Sequence, residues 1–138
     1  MSKVSMSLDV PASINEVWRV IGGFNALPDW HPAVQKSELQ DGGRVRQLQL
    51  AGGGSIVERL ESFSEGDHLY TYTIERGPLP VANYKATIRV RQEPGKQGCV
   101  VEWSSDFQPS GAGEADAVKV IQSVYQAGFD NLKKMFGA

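Results

Sequence analysis

A chain of 138 residues can bury a core, and 41% hydrophobic with 22% charged residues is a globular balance, neither disordered nor fibrous. A net charge of −2 offers no basic face for nucleic acid, and no apolar run approaches the roughly 18 residues of a membrane span. One cysteine, Cys99, allows no internal disulfide, and Met1-Ser2-Lys3-Val4-Ser5 has no apolar leader, so a single cytoplasmic domain over 1–138 is expected.

Residues 3–10 alternate, with Val4, Met6, Leu8 and Val10 on one side and Ser5, Ser7 and Asp9 on the other, the pattern of a half-buried strand that Pro11 stops. Ser13-Ile14-Asn15-Glu16 has the spacing of a capping box, in which each side chain satisfies the other's free backbone N–H. Ile14, Val17, Trp18 and Ile21 then recur at helical spacing until Gly22-Gly23. A second short helix or turn is expected over Phe24 to Leu27, before Pro28. Strands are expected near 34–40, 44–50, 55–63, 68–75, 83–92 and 98–107, separated by glycine- and proline-rich breaks short enough for hairpins.

From about 113 to 136, at 100° per residue, Ala117, Ile121, Val124, Gly128, Leu132 and Met135 share one helical face opposite Lys119, Gln122, Gln126, Asp130 and Lys133. Such a helix is roughly 35 Å long, enough to cross a sheet, and Gly137 is placed to cap it. The fold class is therefore α+β: a curved antiparallel sheet of seven strands, two short N-terminal helices and one long C-terminal helix. No sequence remains for a further layer, so the interior is either filled by large side chains or left as a pocket.

Several motifs in this order resemble the SRPBCC or START-like helix-grip superfamily. They are Val10-Pro11-Ala12-Ser13 leading to Glu16-Val17-Trp18, then Leu27-Pro28-Asp29-Trp30-His31-Pro32, Val57-Glu58-Arg59-Leu60, Ala82-Asn83-Tyr84-Lys85 and the final helix. The likeness covers essentially the whole chain and is nearest to the bacterial polyketide cyclase/dehydrase-like branch, with similarity to plant abscisic-acid receptors. It implies an apolar small-molecule cavity between sheet and long helix. Ala51-Gly52-Gly53-Gly54 and Gly77-Pro78-Leu79-Pro80-Val81 stand where those receptors carry gate and latch, but lack the receptors' patterns, which argues against abscisic acid.

The resemblance also implies site residues. Lys36 matches the lysine that pairs with a ligand carboxylate, and Glu58 and Glu102 match carboxylates near the ligand. Alternation disagrees at Glu102: it turns Val101, Trp103 and Phe107 inward and sends Glu102 to solvent. Following the resemblance puts Glu102 inward and leaves Trp103 and Phe107 on the convex face, at a dimer contact. Tyr72 with Ile74, and Tyr84 on the next strand, supply apolar wall and hydroxyls, while the long helix contributes Val120 and Val124. Trp30 and His31 lie at the presumed mouth, where Trp30 can wedge under the helix and His31 can carry a proton.

Two separated histidines and one cysteine make no metal cluster, and Gly52-Gly53-Gly54 joins strands rather than opening a helix, so no metal, phosphate loop or cofactor is expected. Three functions follow in order. The first is binding of a small apolar molecule, with or without a carboxylate, or a lipid. The second is a cyclase or dehydrase using Glu58, Glu102 or His31 as acid–base groups. The third is a homodimeric interaction module with a vestigial cavity.

Overall fold

In a computed structural model, which describes residues 1–95 and 97–137, the chain forms one seven-stranded antiparallel sheet gripping a long helix. Strand β1 (Ser2–Val10) leads into α1 (Ile14–Ile21) and α2 (Leu27–Trp30), followed by β2 (Val34–Gln40) and β3 (Val45–Leu50). Then come β4 (Ser55–Ser64), β5 (Leu69–Arg76), β6 (Val81–Arg91), β7 (Cys99–Pro109) and α3 (Glu114–Phe136). The sheet runs β1-β7-β6-β5-β4-β3-β2, so the helical pair α1–α2 carries the chain from one edge to the other. This is the helix-grip arrangement expected above.

The capping box is half realised. Ser13 Oγ accepts the Glu16 N–H at 3.2 Å, but Glu16 Oε1 receives the Ser13 hydroxyl rather than a backbone N–H. Gly22 ends α1 with an ordinary right-handed φ of −75°; a Cβ there would lie 2.5 Å from the Trp18 ring, so close packing explains the glycine. The second helix begins at Leu27 rather than ending there, because Pro28 needs no hydrogen-bonded N–H in a first turn. Hairpin strands fall within two residues of the expected ranges.

Helix α3 buries Ala117, Ile121, Tyr125, Gly128, Phe129 and Leu132. Tyr125 and Phe129 therefore belong to the face assigned above to Val124 and Met135; Val124 is half-buried and Met135 is exposed. The helix lies over β1 and β7. Trp103 and Phe107 on β7 are buried beneath it, at 2% and 0% exposure, so alternation predicts this strand correctly and the exposed-aromatic dimer contact is withdrawn.

Gly128 is the point of closest approach. A Cβ there would meet Trp30 at 2.8 Å, His31 at 2.9 Å and Trp103 at 3.2 Å. Trp30 wedges under α3 as expected, its ring 5.4 Å from Trp103, and its carbonyl accepts Asn131 Nδ2 at 2.8 Å.

Candidate functional site

Between sheet and α3 lies a cavity of about 170 Å³. Its apolar wall includes Leu27, Leu48, Ile56, Ile74, Ile121 and Val124, and its polar atoms come mainly from Glu58, Tyr72, Tyr84 and His31. Ala33 and Ala51 are exposed at the rim, tied by a 2.8 Å hydrogen bond from Ala51 N to Ala33 O.

Local strand geometry places Glu58. Ile56 and Glu58 alternate inward on β4, and a bulge between Val57 and Glu58 sharpens the bend at that point. Directly across on β3 stands Arg46, wholly buried. Its Nε and Nη2 approach Glu58 Oε1 at 2.8 and 2.7 Å. Nη1 donates to the Phe24 carbonyl at 2.6 Å and to Tyr70 Oη at 3.4 Å. The guanidinium also lies 4.3 Å from the Phe24 ring centre and 5.1 Å from that of Tyr72. This enclosure holds the Arg46 charge: burial opposes it, and neighbouring Tyr70 and Glu58 more than offset that. Burial pushes the Glu58 carboxyl above the usual carboxylate range while Arg46 pulls it back down.

A second polar line crosses the cavity wall. Trp103 Nε1 donates to Tyr72 Oη at 3.1 Å, Tyr72 and Tyr84 hydroxyls lie 3.1 Å apart, and Tyr84 continues to Tyr125 on α3. The Trp103 and Tyr125 rings stack at 4.2 Å. Burial raises the pKa of all three tyrosines, so the line consists of neutral hydroxyls.

His31 lines the cavity, yet both of its nitrogens are taken. Nε2 donates to the Val124 carbonyl of α3 at 2.7 Å, and Nδ1 accepts the Ala33 N–H at 3.2 Å. That pairing fixes a neutral imidazole. Burial lowers its pKa, against the opposing pull of the Val124 carbonyl. These two bonds tie the loop after α2 to α3.

Other expected site residues lie elsewhere. Lys36 is exposed and its Nζ pairs with Glu38 at 2.7 Å. A bulge between Val34 and Lys36 reverses strand parity: Val34 faces the core opposite Leu50, whereas Lys36 pairs with Gln49 and points outward. Glu102 stands on the convex face with its Oε1 3.1 Å from Arg91 Nε, as the inward turn of Trp103 requires. Val120 is half-buried but not on the wall, because Ile121 and Val124 face the cavity and Val120 sits beyond Val124 on the helix circumference. Trp30 lies under the helix, not on the cavity surface.

Sequence reasoning missed Arg46, Ile121 and Tyr125. The signal for Arg46 was present: it shares strand parity with Leu48 and Leu50, opposite Gln47 and Gln49. Among the described residues no group of three or more His, Cys, Asp or Glu side chains converges as a metal site, and no helix is long and apolar enough to cross a membrane.

The sequence profile described as polyketide cyclase/dehydrase and lipid transport matches residues 1–137. No curated protein is similar enough to match. Among solved structures, the protein XoxI from Bacillus cereus is 39% identical with a TM-score of 0.95, over 99% of this chain and 96% of that one. A protein from Bacillus thuringiensis is 38% identical, also with a TM-score of 0.95, over 99% and 100% of the two chains. The Zhui aromatase/cyclase of a Streptomyces species, at 16% identity and a TM-score of 0.77 over 99% and 93%, shares the fold. By the profile over its length and by these relatives, the chain belongs to the polyketide cyclase/dehydrase and lipid transport family.

Proposed function

We propose that this protein binds a small, mainly apolar molecule in the cavity between the sheet and α3. The observation that carries the reading is the cavity itself, about 170 Å³, lined by aliphatic side chains with a few convergent polar atoms and open at the Ala33–Ala51 rim. The volume is close to that of an engineered apolar cavity of about 150 Å³ that accepts benzene. It suits a single-ring molecule rather than a lipid with long chains.

Acid–base catalysis of the cyclase or dehydrase type is the second reading. One observation favours it: Glu58 is a buried carboxyl on the cavity wall whose pKa is raised by burial. Arg46, bonded to that same carboxylate, works against proton exchange, and the binding reading is the better supported.

Native mass spectrometry of protein purified from its own source tests the binding reading, with crystals soaked in benzene as a second arm. A retained adduct, or benzene density between α3 and β4, is the expected outcome. Absence of both overturns it.

A further inference from the structure

The polar surface of the cavity has a sign. Glu58 is the only carboxylate among the described residues that line it, and no lysine or arginine is among them. Lys36, the cation that would have received an anionic ligand, points to solvent. Arg46 is close by but not on the wall: Nε donates to Glu58 Oε1, Nη2 is ion-paired with that oxygen at 2.7 Å without a hydrogen bond, Nη1 goes to Phe24 and Tyr70, and the rings of Phe24 and Tyr72 flank the guanidinium. The ion pair therefore lies with its negative end towards the cavity and its positive end behind the wall.

His31 adds no charge, since its Nδ1 accepts the Ala33 N–H and its N–H is given to Val124. Trp103 gives its indole N–H to Tyr72, so that donor too is committed. What remains for a ligand is chiefly an acceptor, the second carboxylate oxygen of Glu58.

We infer that the ligand is a neutral, single-ring-sized apolar molecule bearing a hydroxyl or N–H donor, received by Glu58 Oε2, and not a carboxylate. This rests on the cavity being a binding site, and reverses the charge preference that Lys36 suggested. A donor meets a buried charged acceptor, whereas an anion would be placed beside Glu58, whose own cation Arg46 is paired to it and off the cavity wall.

Phenol, toluene and benzoate share one ring and test this on the unmodified protein at pH 7. The Trp103 indole N–H resonance, at the cavity wall, reports binding in an NMR titration. Phenol is expected to bind about tenfold or more tighter than toluene, and benzoate to leave the resonance unmoved at the same concentrations. Benzoate binding as tightly as phenol, or toluene matching phenol, overturns the inference while leaving cavity binding intact. If none of the three binds, cavity binding fails and the inference falls with it. In Glu58→Gln the Arg46 partner oxygen is kept and an amide N–H₂ takes the place of Oε2. Its phenol preference over toluene is expected to vanish where the amide spectrum shows the fold retained, and an undiminished preference would overturn the inference.

Discussion

Arg46 and Glu58 face each other across β3 and β4, two guanidinium nitrogens on one carboxylate oxygen, both side chains removed from solvent. Coulomb attraction in such a pair is set against the cost of dehydrating two charges, and the balance shows only when one partner is removed. Arg46→Met should destabilise the fold by about 3–5 kcal/mol in urea unfolding at pH 7, because Glu58 is left buried and unpaired. Replacing both, as Arg46→Met with Glu58→Leu, should recover most of that loss. Because burial raises the Glu58 pKa, the Arg46→Met defect should ease as pH falls towards 4.5, and grow as pH rises through the folded pKa.

His31 gives a pH dependence of the opposite sense. Its folded pKa lies below the ordinary 6.5, so its contribution to stability is complete above 6.5 and declines as pH falls from there towards the folded pKa. Unfolding midpoints of the protein and of His31→Gln, compared between pH 8 and pH 5, should converge at the acid end. Taking the difference removes the Glu58 contribution, which both proteins share.

Gly128→Ala should destabilise, although alanine is the better helix former by about 1 kcal/mol. The new methyl would press on Trp30 and His31 at 2.8 and 2.9 Å, ring atoms themselves held against Trp103 and α3. A loss of about 1–3 kcal/mol is expected in thermal or urea unfolding.

Val124→Phe should fill the cavity from the helix side. Thermal stability should be maintained or raised while phenol binding is lost, the usual opposition between packing and function. By contrast Lys36→Ala should leave both unchanged, since Lys36 makes a solvent-exposed pair with Glu38 on the face of the sheet opposite the cavity.

Most of the fold was legible because alternation, caps and turn residues act locally. β7 shows this well: Val101, Trp103 and Phe107 follow strict alternation and are buried, while the resemblance-based placement of Glu102 was not realised. Lys36 was illegible for a specific reason. A single bulged residue after Val34 inverts parity along β2, and nothing in Val34-Gln35-Lys36-Ser37 announces it. His31 was visible as a titratable group at the right place, but its role depends on a carbonyl 93 residues later in the chain. Arg46 could have been read from its parity with Leu48, had a buried cation seemed acceptable before its carboxylate partner on β4 was known.

The strand order has a consequence for synthesis. β1 is hydrogen-bonded in the sheet only to β7, from Ser2 opposite Phe107 to Val10 opposite Cys99, about a hundred residues away. At ordinary elongation rates about 5–20 s pass between the ribosome making one and making the other. Throughout that interval an alternating apolar strand has no place to dock, and the sheet cannot acquire this edge until translation of the domain is nearly over. This edge of the sheet therefore closes only after β7 has left the ribosome, and β1 is the segment that a nascent-chain chaperone has most reason to hold until then.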